Sequence, residues 1–401
     1  MALNIAQTHV SIDHRALSAI HNNIGNVYCM FNDYDHALEH YNEAFRIKSK
    51  FLPNQHPSLA QHFELEAMNM NTHIVWLLIT VLCIILPLIV QPSLETISND
   101  VPSSDSYDLD GDPRMGGPQP LFNSEPQDSP GLESEMDPKP DYGYTSYNGT
   151  GKLEGKVAII TGGDSGIGRA VALAFAREGA SIVISYLNET EDAKEIQKVI
   201  QNEGHDCILI PGDISEEAQC KKIINETVAR FKRIDILVNN AAYQGKQVDD
   251  SVEGMSHDRV LYTFKTNIVA MFDLTRFAIP HMPKGSSIIN VGSIQAYDPS
   301  SGILDYATTK AAIVGFTKGL AEKMLEKGIR VNCVAPGPVW TPLIVASFSK
   351  EKISQFGANS PTTRPAQPRE LAPAFVFLAS GRDSSYVSGE ILAVTGGRIT
   401  A

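Results

Sequence analysis

Between residues 152 and 401, short unbroken apolar runs alternate with segments of helix length. The runs lie at 157–160, 181–185, 207–210, 234–238, 287–291, 330–334 and 391–394, and stretches such as 166–178 separate most of them. Runs that short, with no polar alternation, predict strands buried on both faces. Strands of that kind spaced by helices predict an α/β fold, a parallel doubly wound sheet with helices on both faces. A different pattern occupies residues 74–90, seventeen residues without a charge. That length is the lower limit for crossing a hydrocarbon core of about 30 Å, and Pro87 is tolerable in such a helix. Neither flank offers the polar face of a soluble amphipathic helix, so the segment predicts a single transmembrane helix. Residues 91–150 are rich in Pro, Gly, Ser and Asp and predict a disordered linker.

Charge sharpens this division. The net charge is -13, which argues against a nucleic-acid partner, since phosphate binding needs a basic surface. Twelve acidic residues between Glu95 and Asp141 face only Arg114 and Lys139, so the linker carries most of the excess. The expectation is a membrane-associated, single-pass chain, or a cytoplasmic one if residues 74–90 do not insert. Arg46, Lys48 and Lys50 favour a cytosolic N-terminus, while sequons at Asn148, Asn188 and Asn225 permit a lumenal C-terminal part. The five cysteines are scattered and encode neither a disulfide framework nor a zinc site. The Asp108-Leu-Asp-Gly-Asp112 stretch lacks the glutamate that a calcium loop carries at its twelfth position, and no metal is expected.

In open parallel sheets, ligands bind beyond the carboxyl ends of the strands. Distinctive residues gather there. Thr161-Gly-Gly-Asp-Ser-Gly-Ile-Gly168 follows the first run, Gly212-Asp213-Ile214 the third and Asn239-Asn-Ala-Ala242 the fourth. Gly292-Ser293 follows the fifth and Ala335-Pro-Gly-Pro-Val-Trp-Thr341 the sixth. Gly162 permits the tight turn, Gly166 lets the backbone approach a pyrophosphate at a helix start, and Gly168 permits close helix packing. Tyr306 and Lys310 stand four apart, on one face of a helix. With thirteen tyrosines in the chain, that spacing arises about once by chance. Its chemistry is a phenol of pKa about 10 that a neighbouring ammonium makes a better acid, so that Tyr306 exchanges a proton with a carbonyl or alcohol oxygen. Ser293 is placed to hydrogen-bond the same oxygen.

Residues 152–401 resemble the short-chain dehydrogenase/reductase family. The resemblance rests on Thr161-Gly-x-x-x-Gly-Ile-Gly168, Asn239-Asn-Ala-Ala242, Asn267, Ser293, Tyr306-x-x-x-Lys310 and Pro336-Gly337, in family order. Residues 154–168, 335–343 and 370–373 are similar to its glucose/ribitol-dehydrogenase-like branch, and residues 130–140 to that branch's N-terminal arm. The resemblance implies a Rossmann fold and an NAD(P)-dependent oxidoreductase acting on a small alcohol or carbonyl substrate, expected to be a homo-oligomer, a tetramer. It implies catalysis by Tyr306 with Ser293, Lys310 on the cofactor ribose, and Asn267 on a water of the proton relay. It places the cofactor on Gly162, Asp164, Ser165, Gly166, Ile167, Gly168, Tyr186, Asp213, Ile214, Asn240, Ala241, Tyr306, Lys310, Pro336, Gly337, Val339 and Thr341. Residues 343–363 are the expected mobile substrate lid, with Pro342 and Pro361 as its stiff ends.

Three positions depart from the family pattern. Gly292 stands where a hydroxyl residue is frequent, Ala242 replaces a glycine, and residue 186 is Tyr rather than an acid that would hold a ribose 2′-hydroxyl. NADP is therefore favoured over NAD, although no arginine is present there to clamp a 2′-phosphate. At the other end, residues 11–65 predict a helical hairpin with Ile24, Gly25, Tyr28, Ala37, Tyr41 and Ala44 spaced as in a tetratricopeptide repeat of the kinesin-light-chain type. One repeat cannot bury its own apolar face. Two alternative functions remain from this reading: a membrane-tethered nucleotide-binding adaptor without turnover, and a tetratricopeptide-type scaffold.

Overall fold

The computed structural model describes residues 111–248 and 252–398, together with six helical positions, His21, His36, Glu39, His40, Glu43 and Arg46. The chain separates into two units, Met1–Asn99 and Asp100–Ala401. Beyond those six positions, the hairpin expected at 11–65 lies outside the described residues, as does the apolar segment 74–90. Among the described residues, no helix is long and apolar enough to cross a membrane.

The second unit is built on seven parallel strands in the order β3-β2-β1-β4-β5-β6-β7. They are β1 (Val157–Thr161), β2 (Ser181–Tyr186), β3 (Cys207–Pro211), β4 (Ile236–Asn239), β5 (Ser287–Val291), β6 (Arg330–Pro336) and β7 (Ile391–Val394). Every residue of β1, β4, β5 and β6 is buried, because helices cover both faces and leave no solvated side for polar residues. On one face α1 (Gly166–Arg177) and α2 (Thr190–Asn202) pack around Phe175, Ile182, Ile184 and Ile196. On the other, α3 (Glu217–Phe231) meets the long helical tract of α4 (His257–Phe264) and α5 (Ala270–Ala278), while α6 (Leu304–Leu325) lies against β6. Between α4 and α5 a π-turn, Lys265–Val269, widens the helix by one residue, a device often found at functional positions. After β6 come α7 (Pro342–Ser347), α8 (Lys350–Ser354) and α9 (Pro368–Ala379). The strand order reverses beside β1, so its carboxyl end and that of β4 face an open crevice.

The linker expectation is corrected from Gly111 onward. Residues 111–150 form an arm bound to the unit rather than a disordered tether. Its few apolar side chains enter a cluster that the helices after β6 supply. The Phe122 ring stacks on Trp340 with centroids 4.2 Å apart, and Met136 joins Ile344, Val345 and Ile353. Trp340 Nε1 donates to the Pro138 carbonyl at 2.7 Å. Arm carboxylates find basic partners: Asp141 accepts from Arg369 Nε at 2.6 Å, and Glu125 pairs with Lys350. Composition undercounts such a segment, because it orders by packing on a partner and not on itself. Phe122→Ala is expected to destabilise the unit by about 3 kcal/mol through the cavity left against Trp340, read as a lower urea midpoint.

Candidate active site

The β1–α1 loop shows why glycine is needed there. Gly162 adopts φ +61°, and its N–H donates to the Ser185 carbonyl at 2.7 Å. Gly166 has φ +53° beside the Thr341 side chain. A Cβ on Gly168 would lie 1.9 Å from the Gly162 carbonyl oxygen and 2.7 Å from Asn240 Nδ2. Asn240 closes the turn from the β4 side, donating through Nδ2 to the Thr161 carbonyl at 2.8 Å. Thr161 Oγ1 in turn accepts the N–H groups of Asn240 and Ala241, both at 3.0 Å.

All the expected catalytic and cofactor residues except Gly168 and Asn267 line one cleft of about 420 Å³. Gly168 sits behind the loop as its packing surface. Asn267 lies one layer deeper in the π-turn, in a small side cavity that Lys310 also lines. Its Oδ1 accepts the Tyr243 N–H at 2.7 Å, and its Nδ2 donates to the Tyr243 carbonyl and to Thr309 Oγ1, both at 3.0 Å. At the outer end of the cleft, Asp213 Oδ1 accepts from Ser215 N–H and Oδ2 from the Tyr262 hydroxyl.

Tyr306 and Lys310 are both buried at the start of α6. That end is fixed by Asp305, whose carboxylate takes two bonds of 2.9 Å from Arg259 and one of 2.8 Å from Thr263. Lys310 Nζ lies 5.2 Å from the centroid of the Tyr306 ring and donates to the Val291 carbonyl at 2.8 Å. Ser293 Oγ accepts from Gln295 N–H at 3.1 Å. The depression of the phenol expected from Lys310 is not what this geometry produces. Burial pushes Tyr306 up to about 12, with Ser293 opposing it, and burial pulls Lys310 down to about 8. For both groups the cost of burying the charged form is the largest effect. Gly292 also has a reason: a Cβ there would come within 2.8 Å of Cys333 Sγ.

Other lining residues were not anticipated. Ser129 and Pro130 reach the cleft from the arm, and Glu189 lies beside Asp164 near the end of β2. Burial pushes the Asp164 carboxyl up to about 7 and raises Glu189. Leu343, Ile344, Phe348 and Phe356, from the 343–363 segment, line the cleft together with Gln244, Gln295 and Arg398. A dinucleotide fits this cleft. The turn admits only glycine at its crest, and Ser185 and Gln244 each hold a buried polar atom with no protein partner among the described residues.

A doubly wound sheet with a glycine turn at its switch point and a buried Tyr–Lys–Ser group in one crevice defines a nicotinamide-dependent oxidoreductase. Comparisons with known proteins agree. A family profile described as "Enoyl-(Acyl carrier protein) reductase" matches residues 162–398. The chain is 48% identical over 276 residues to NADPH-dependent aldehyde reductase 1, chloroplastic, of Arabidopsis thaliana, covering 67% of this chain and 95% of the relative. It is 47% identical over 290 residues to glucose and ribitol dehydrogenase of Daucus carota, covering 71% and 98%. A short chain dehydrogenase from Burkholderia cenocepacia J2315 in complex with NADP superposes with TM-score 0.57 at 29% identity, covering 61% of this chain and 98% of that one. The chain belongs to the short-chain dehydrogenase/reductase family and is an NAD(P)-dependent oxidoreductase acting on alcohol or carbonyl groups.

Proposed function

We propose that this chain reduces small polar aldehydes and sugar-like carbonyls with NADPH, and that Tyr306 is the proton donor. The observation that carries the reading is the burial of Tyr306, Lys310 and Ser293 in the crevice that the glycine loop opens. A nicotinamide dinucleotide bound there supplies or accepts the hydride. With burial pushing it up to about 12, Tyr306 is protonated at neutral pH and has a proton to give to a carbonyl oxygen. Ser293 fixes that oxygen. The Lys310 ammonium, 5.2 Å from the centre of the Tyr306 ring, places a positive charge beside the cavity it shares with Asn267, which offers a route for the proton to return. Gly162, Ser165, Gly166 and Ile167 would cradle the pyrophosphate, and Asp213, Ile214, Asn240 and Ala241 the adenosine side. Pro336, Gly337, Val339 and Thr341 would border the nicotinamide.

NADPH is favoured because Tyr186, not an acid, ends β2, and because the Ser185 hydroxyl has no partner among the described residues. The plant relative's NADPH dependence supports the same choice. The substrate class rests on the mixed lining of the cleft, Gln244, Gln295 and Arg398 together with apolar residues of the 343–363 segment, which we read as a lid. Val269 and Phe272, exposed on the π-turn and α5, support a homo-oligomer, which sedimentation would test. The deciding experiment follows reduced-nicotinamide absorbance with both cofactors against aldoses, polyols, steroids and simple ketones. Oxidation of NADPH with aldoses is expected, and turnover of none of these carbonyls would sink the reading. Carbonyl reduction is further expected to be level below about pH 8 and to fall above it. The Lys310 proton is present below that value and lost above it. Lys310→Met should be slow at all pH and lack this limb.

A further inference from the structure

The glycine loop is held by a residue from outside the dinucleotide fold. Glu133, in the arm, is 3% exposed. Its Oε2 accepts the Gly166 N–H at 2.6 Å, and its Oε1 lies 3.1 Å from Arg169 Nη1. Arg169 is also buried, and its Nε donates to the Asp164 carbonyl at 2.7 Å. Asp192 completes the group: its Oδ2 accepts the Glu133 N–H at 3.0 Å, and its carbonyl accepts from Arg169 Nη2 at 2.9 Å. One carboxylate thus grips the loop twice, directly at Gly166 and through the guanidinium at Asp164.

This is an expensive way to attach an arm. A buried carboxylate must be fully paired to be tolerated, and an apolar side chain of similar volume would serve attachment as well or better. Its position is also adverse to an anionic ligand. It occupies an N–H at the start of α1, where a helix end otherwise favours the phosphates of a dinucleotide. A carboxylate placed there is explained by what it does to the loop.

We infer that Glu133 is a positioning residue for the dinucleotide, fixing the 164–166 backbone that lines the cleft so that the loop is formed before the cofactor arrives. The inference rests on the reading of that loop as the pyrophosphate cradle. Preorganisation of this kind improves affinity by removing an ordering cost at binding. It leaves the chemical step, carried by Tyr306, untouched.

The test uses the full chain, with NADPH binding followed by its fluorescence and reduction by steady-state kinetics. Glu133→Ala is expected to weaken NADPH binding about tenfold, with kcat at saturating cofactor within about twofold of the parent. Glu133→Gln, which retains an oxygen for the Gly166 N–H, should restore affinity to within about threefold. Met136→Ala, which loosens the arm at the Trp340 cluster instead, sets the baseline for general destabilisation. Parent-like affinity in Glu133→Ala, no restoration by Gln, or an equal loss in Met136→Ala would each overturn the inference. Should the Ala variant not fold, Glu133→Asp withdraws the oxygen from Gly166 while keeping a carboxyl group, and the same loss is expected. Failure of the parent chain to bind NADPH would count against the cradle itself, and so separates the two claims.

Discussion

Tyr306→Phe is expected to lower kcat for carbonyl reduction by about three orders of magnitude, within the range for loss of a general acid. The dissociation constant for NADPH should change by less than about twofold, because the ring remains and only its hydroxyl is removed. The phenol is buried beside Ser293, and among the described cleft residues it is the group whose proton a carbonyl oxygen would take. Single-turnover measurements should place the loss in the chemical step. Retained activity would revive the adaptor alternative, in which the domain holds a nucleotide without turnover.

Gly168→Ala should abolish cofactor binding. The added methyl would lie 1.9 Å from the Gly162 carbonyl oxygen, and backbone cannot yield as a flexible side chain can. Either α1 shifts outward or the turn opens. Overpacking of this severity costs about 3 kcal/mol or more, so the melting temperature should fall together with NADPH affinity. Gly315→Ala is the matched control, since nothing lies within 4 Å of a Cβ there. That substitution on α6 should leave both quantities nearly unchanged. A Gly168→Ala protein with parental affinity would contradict the close approach of α1 to the turn.

The sheet could be read from the sequence because parallel strands covered on both faces need uninterrupted apolar residues, as in Val157–Thr161. The rim residues could be read because ligand contacts cluster at strand ends, and Ser293, Tyr306 and Lys310 do meet in one cleft. Three things could not. The sign of the Tyr306 shift comes from its burial, and spacing along a helix does not encode how far water is kept from a phenol. The need for glycine at 292 comes from Cys333, on the neighbouring strand. The packing of the arm on Trp340 and the glycine loop was hidden by its composition, although the branch-like stretch at 130–140, with Glu133 in it, already marked an N-terminal arm.

The Phe122–Trp340 stack changes where the enzyme must be considered to begin. A polypeptide started at residue 152, where the alternating pattern opens, would retain every strand yet leave the indole uncovered and the α1 entrance without its carboxylate. Such a fragment is expected to be sticky and poorly liganded, and its failure in an assay would say nothing about the chemistry of the intact chain. The arm that brings Phe122 and Glu133 to the sheet belongs to the catalyst as much as any helix on it.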